Sequence, residues 1–198
     1  MLEAVMTGSP QADDVPDAGA GDHALAQAAA GGDVAAFEAL YRRHSPRVHG
    51  VVLRLSGWQH ARAEDLVQEA FLRAWQALPH WRGDAAFGTW LYRLAVNTAL
   101  MDLRARRVRP VLDGGDGEDE VAALPAVDSA GQRTADALDL ARAVARLPPR
   151  ARAVLVLHDI EGWTHGEIAE ALEMAPGSSK SQLHRARGLL RDHLGDPP

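Results

Sequence analysis

Residues 109–134, RPVLDGGDGEDEVAALPAVDSAGQRT, constrain the fold of this chain more than any other stretch. Proline, glycine and acid are interleaved there without apolar periodicity, a composition that marks a linker and not a packed element. On either side the apolar residues recur at helical spacing, and no convincing strand alternation interrupts them. The chain therefore reads as all-α: two small helical domains joined by a flexible acidic linker. The expected boundaries are a disordered acidic tail over 1–26, a first helical domain over 27–108, the linker over 109–134 and a second helical domain over 135–194.

The charge follows the same division. The 198 residues carry a formal net charge of −6. Glu3, Asp13, Asp14, Asp17 and Asp22 put −5 into the N-terminal stretch, and Asp113, Asp116, Glu118, Asp119 and Glu120 put another −5 into the linker. The balance of +4 belongs to the remaining sequence. Local sign governs phosphate binding, so an acidic chain of this kind remains compatible with nucleic acid. Cysteine is absent, which excludes disulfides and thiolate metal sites and fits a cytoplasmic location. The N-terminal MLEAVMTGSPQADDVPDAGAGD lacks Lys, Arg and any long apolar run, unlike a secretory signal or membrane anchor. No apolar stretch is long enough for membrane insertion.

Three helices are expected in the first domain. Asp33, after two glycines, can cap one that carries Phe37, Leu40 and Tyr41 on a single face. AEDLVQEAFLRAWQAL sets Leu66, Val67, Ala70, Phe71 and Ala74 against a polar face of Asp65, Gln68, Glu69, Arg73 and Gln76. AAFGTWLYRLAVNTALMDLRARR aligns Phe87, Trp90, Leu91, Leu94, Ala95 and Met101, with Thr98 in the same stripe. That helix ends on Arg104, Arg106 and Arg107. Cations suit a helix C-terminus, but that effect is worth only about 0.3–1 kcal/mol and does not call for such a cluster.

The second domain is punctuated more sharply. An apolar helix follows Pro148 and Pro149. Thr164 and Glu167 then have capping-box spacing ahead of Ile168 and Leu172. A short turn leads to Pro176, a favourable first helical residue. Leu183, Ala186 and Leu190 can face inward from the last helix. Ser178, Lys180, Ser181, Gln182, His184, Arg185 and Arg187 then lie at or near an exposed basic face, the pattern of a helix-turn-helix.

Taken in order, AEDLVQEAFLRAW, WRGDAAFGTWLYRLAVNTALMDLRARR, LPPRARAVLVLHDIEGWTHGEIAEAL and PGSSKSQLHRAR resemble the extracytoplasmic-function group of the bacterial sigma-70 factors. The resemblance spans roughly residues 27–193. It implies an alternative sigma factor that binds core RNA polymerase, at its clamp and flap, and directs promoter-specific initiation without catalytic residues or cofactors of its own. Asp65, Gln68, Glu69 and Arg73 would grip polymerase. Trp81, Arg82 and Asp84, in the loop HWRGDAAFG, would hold an extruded base of the minus-ten element, with Asn97 offering an amide to a base edge. Arg93, Arg104, Arg106 and Arg107 would track the strand. Trp81 also admits a second role, as an apolar plug that closes the loop. Ser178, Lys180, Ser181, Gln182, His184, Arg185 and Arg187 would meet the minus-thirty-five element, and an anti-sigma factor is the expected regulatory partner. The linker would thread toward the RNA exit path or serve as a plain tether.

The second domain departs from the family pattern at four positions. Glu173 stands where glycine is usual, Ala175 where a serine cap is usual, Ser179 where an apolar residue is common and Gln182 where arginine is common. Two other classes fit the residues less well. The nine histidines show no ligand spacing suited to a metal enzyme. A helix-turn-helix regulator with a sensing N-terminal domain shares the second domain, but has no need of WRGDAAFGTWLYRLAVN followed by arginines.

Overall fold

The computed structural model describes residues 19–108 and 131–194, with side chains over 21–106 and 138–194. The expected tail over 1–18 and the linker over 109–130 lie outside the described residues. Among these, the chain is built from helices, without strands.

The first helix begins earlier than expected. α1 spans Gly19–Ala30 and buries Ala26 and Ala29. Residues 19–26 are therefore helical where an unstructured tail was expected. Asp22, counted with that acidic tail, is only 5% exposed and pairs with Arg43 and with His44 Nε2, the latter at 2.8 Å. The stretch lacks apolar periodicity because small alanines supply its contact surface, so the pattern that marks an amphipathic helix is weak there.

α2 (Val34–Leu55) starts from Asp33, whose carboxylate accepts from the Ala35 and Ala36 amides at 2.9 and 3.1 Å. Leu40 is fully buried, whereas Phe37 is half-buried and Tyr41 exposed at the helix surface. α3 (His60–Ala77) buries all five expected residues, Leu66, Val67, Ala70, Phe71 and Ala74. A short 3-10 turn, Leu78–His80, and a loop then lead to α4 (Phe87–Val108). α4 buries Phe87, Trp90, Leu91, Ala95 and Thr98 as expected, together with Tyr92, Val96, Ala99 and Leu100. Met101 is 45% exposed and Leu94 half-buried, so the buried arc is rotated from the predicted stripe. The rotation follows from α4 packing against α1, α2 and α3, which bury a broader arc than one seam.

The second domain begins at α5 (Gly131–Ala145), four residues earlier than its predicted boundary. α6 (Pro149–Leu155) starts on Pro149 and runs into a π-helical turn over Val156–Ile160. α7 (His165–Ala171) carries the complete capping box: the Glu167 amide donates to Thr164 Oγ1 at 3.3 Å, and the Thr164 amide donates to Glu167 Oε2 at 2.8 Å. Ile168 and Leu172 are buried. α8 (Pro176–Leu194) begins on Pro176 and buries Leu183 and Ala186, with Leu190 half-buried.

The two helical units touch. Arg152 of α6 is 5% exposed and donates from Nε to the Leu55 carbonyl at the end of α2 (3.3 Å) and from Nη1 to the carbonyls of Ala145 (2.8 Å) and Leu147 (3.3 Å). Gly57 makes room for it: φ is +70° there, and a Cβ would stand 2.5 Å from Nη1. Arg54 reaches Glu161 at 2.7 Å beside this contact. No helix among the described residues is long and apolar enough to cross a membrane.

Candidate nucleic-acid interface

α3 presents the first candidate surface. Because its apolar residues face the core, Asp65, Gln68 and Glu69 are left exposed in a row. Arg73 is half-buried, bound to Glu69 Oε1 through Nε (3.0 Å) and Nη2 (2.6 Å), and its Nη1 lies 3.5 Å from Met101 Sδ. Leu72 stands exposed beside these polar residues. A mixed surface of this kind, apolar at one point and charged around it, is suited to a protein partner. Leu72 was not singled out from the sequence, because at helical spacing a single leucine reads as core.

The loop between the 3-10 turn and α4 carries the second. Trp81 is half-buried among aromatic rings, edge-on to Phe87 at a centroid distance of 5.9 Å and tilted to Trp90 at 6.3 Å. This packing suits the plug role that the sequence left open. Its indole Nε1 is buried with no hydrogen-bond partner. Gly83 adopts φ +77°, which a side chain would resist, and on either side of it Arg82 and Asp84 are exposed.

α4 continues the surface. Arg93, Asn97 and Arg104 fall at spacings of four and seven residues, on one helical face, and all three are half-buried. Arg106 is exposed, and the Arg107 side chain lies outside the described residues. Arg104 Nη1 is paired with Glu173 from the turn of the second domain. Tyr92, two residues from the end of the aromatic cluster, has its phenol pKa pushed far up by burial and then by the neighbouring Glu161 carboxylate.

The third surface belongs to α8. Ser178, Lys180, Ser181, His184, Arg185 and Arg187 are exposed and Gln182 is half-buried, while Ser179 is fully buried between them. The turn that orients α8 rests on Glu173 at φ +51°. The site where an apolar residue is common is filled by a hydrogen bond instead: His165 Nδ1 and Ser179 Oγ are 2.9 Å apart, with His158 edge-on to His165 at 4.4 Å. Desolvation, and then the positive surroundings of His158, Lys180 and Arg187, lower the His165 pKa. Arg187 is held by both oxygens of Asp159, at 3.0 and 2.7 Å, and this partner raises its pKa. No cluster of three or more potential metal ligands occurs among the described residues.

Comparison with known proteins places each domain. Sigma-70 region 2 matches residues 40–109, and sigma-70 region 4 matches residues 137–190. The chain is 31% identical to the RNA polymerase sigma-H factor of Pseudomonas aeruginosa, over 85% of this chain and 91% of that protein. It is 35% identical to the ECF RNA polymerase sigma factor SigM of Mycobacterium tuberculosis H37Rv, over 88% of this chain and 85% of that one. Against the longer ECF RNA polymerase sigma factor SigE of Mycolicibacterium smegmatis it is 37% identical over 82% of this chain and 64% of SigE. Among solved structures it resembles the sigma factor RpoE of Bartonella quintana bound to the anti-sigma factor NepR, with a TM-score of 0.60 and 25% identity, covering 82% of this chain and 98% of RpoE. CnrH, solved with the cytosolic domain of CnrY, gives a TM-score of 0.52 at 26% identity, covering 89% of this chain and 99% of CnrH. With both sigma-70 regions present in order on a helical fold, the chain belongs to the extracytoplasmic-function sigma factors, the regulatory initiation factors of the sigma-70 family.

Proposed function

We propose that this chain is an alternative sigma factor that docks on core RNA polymerase through α3 and directs it to promoters read by the loop over 81–86, by α4 and by α8. The observation that carries the reading is the pair of cationic helices, α4 and α8, each set in its own sigma-70 region.

Exposure and helix position support the following division of labour. Asp65, Gln68, Glu69 and Arg73 bind polymerase. Arg82 and Asp84, exposed on the loop, meet the extruded minus-ten base, with Trp81 beneath them. Opening the duplex costs a few kcal/mol, which contacts to the flipped base offset. Arg93, Asn97, Arg104, Arg106 and Arg107 follow the strand. On α8, Ser178, Lys180, Ser181 and Gln182 lie in the N-terminal half, which meets base edges in a helix-turn-helix, and His184, Arg185 and Arg187 reach the backbone. An anti-sigma factor is the third partner, by analogy with the RpoE–NepR complex.

The test is reconstitution. The purified chain added to sigma-free core polymerase should yield transcripts from discrete start sites, matching those mapped in cells that overexpress it. Absence of promoter-specific transcripts at any salt concentration would refute the proposal. A helix-turn-helix regulator would still bind duplex DNA but would not confer initiation on core polymerase.

A further inference from the structure

α1 precedes the segment matched by sigma-70 region 2, yet two adjacent residues of it bear on both ends of the loop over 81–86, His23 directly and Asp22 through His44. His23 packs its ring against Trp81 at 5.2 Å. The same ring lies so close to Gly83 that a Cβ there would stand 2.9 Å from His23 Cε1. His23 thus touches the residues on both sides of Arg82. Gln27 Nε2 and His23 Nε2, one turn apart on α1, are 3.0 Å from each other, a contact that orients the ring.

Asp22 works at the other end. Its buried carboxylate holds His44 Nε2 at 2.8 Å. The His44 ring meets Phe87, the first residue of α4, edge-on at 5.4 Å, and a Cβ on Gly88 would come within 2.9 Å of His44 Cε1. The loop is therefore gripped where it begins and where it becomes helix. Arg82 and Asp84, exposed between the grips, owe their presentation to those two ends.

We infer that α1 is a positioning element for promoter opening, and that His23 is the positioning residue that fixes how Arg82 and Asp84 face the extruded minus-ten base. This rests on the proposed base-holding role of the loop. His23 makes no contact with DNA in this scheme. It restricts the Trp81–Gly83 backbone, so that the energy of base capture is not spent on ordering the loop.

The experiment uses holoenzyme reconstituted with the full chain and a promoter taken from its mapped start sites, with 2-aminopurine in the non-template strand to report opening. For His23→Ala the expected loss of opening is about three- to tenfold, the equivalent of one aromatic pair. Discrimination among the four bases at the minus-ten positions should weaken in parallel, which a merely structural role would not produce. Core-polymerase affinity and minus-thirty-five duplex binding should stay unchanged. His23→Phe, which keeps a ring against Trp81, should restore opening and discrimination. Gln27→Ala, which frees the ring without removing it, gives a smaller loss of the same kind and carries the test if His23→Ala folds poorly. Unchanged opening and base discrimination in His23→Ala and Gln27→Ala overturn the inference. So does a loss that falls equally on duplex binding, or that His23→Phe leaves unrepaired. Arg82→Ala and Asp84→Ala separate the two levels. If neither impairs opening, the base-holding role of the loop fails and the inference with it; if they impair it and His23→Ala does not, only the role of α1 fails.

Discussion

Glu173 occupies the left-handed region at φ +51°, which costs an L side chain about 1–2 kcal/mol. Its carboxylate returns little of that, because it is 72% exposed and an exposed pair such as Arg104–Glu173 is worth about 0–1 kcal/mol. We predict that Glu173→Gly raises stability by about 0.5–1 kcal/mol, after the extra freedom of glycine in the unfolded chain is counted. Thermal melting checks this, and no gain would mean that the turn is held by its carboxylate after all. Asn97 makes a different point. Half-buried on the face shared by Arg93 and Arg104, it has little to do in the core and a base-edge amide to offer. Asn97→Ala should reduce promoter opening by about 1–3 kcal/mol while sparing duplex binding. Equal loss of both in a fluorescence opening assay and a duplex-binding titration would remove it from the proposed minus-ten surface.

At the scale of elements, one polar contact is set into the apolar packing of α7 against α8. The His165–Ser179 hydrogen bond requires an imidazole that can share a proton at Nδ1, and desolvation with His158, Lys180 and Arg187 disfavours its charged form, while Asp159 opposes them. A histidine whose pKa is depressed in the folded state stabilises that state fully above the unfolded value and loses the contribution as pH falls. The melting temperature of the second domain should therefore hold steady above about pH 6.5 and decline below it, and His165→Gln should flatten the decline. An unchanged pH profile in that variant would clear His165 of the effect. Arg187 carries the second prediction for α8. Asp159 now holds both its arms, aligning the guanidinium at the cost of competing for it. Arg187→Ala should weaken DNA binding across sequences and lower the salt slope by about one, as loss of a phosphate contact does. A sequence-selective loss at constant slope would instead mark a base contact.

At the scale of the whole molecule, an arginine that belongs to one domain also serves the other. Arg152 donates to the Leu55 carbonyl that ends α2, to the carbonyl of Ala145 that ends α5 and to that of Leu147 just beyond it. Buried acceptors stripped of a donor cost about 1–3 kcal/mol, so Arg152→Met should lower stability by that order and loosen the contact between the domains. Small-angle scattering should show a larger radius of gyration, and an unchanged radius would show that Arg54–Glu161 and the apolar contacts suffice. Gly57→Ala attacks the same joint from the opposite side, since its Cβ would meet the guanidinium. Because both changes break one contact, their effects should combine less than additively. Arg104–Glu173 crosses the same boundary and occupies a cation proposed to follow the promoter strand, so DNA and the second domain compete for that guanidinium.

Helical periodicity and capping chemistry are local properties, and they alone determined the two all-α units, the Asp33 cap, the Thr164–Glu167 box, the start of α8 at Pro176 and the buried faces of α3 and α8. The sigma resemblance was legible for the same reason, being carried by long ordered segments. The start of α1 was not legible, because alanine contacts leave no amphipathic signature and its Asp22 reads as a tail charge until Arg43 and His44 are brought beside it. The rotation of the α4 core past Met101 depended on which helices surround it. Ser179 reads as a defect in an apolar seam until His165 is placed 2.9 Å away, and Gly57 as an ordinary helix stop until Arg152 fills the space above it. In each case the deciding contact joins residues whose pairing no local periodicity encodes, and burial alone makes that pairing energetically consequential.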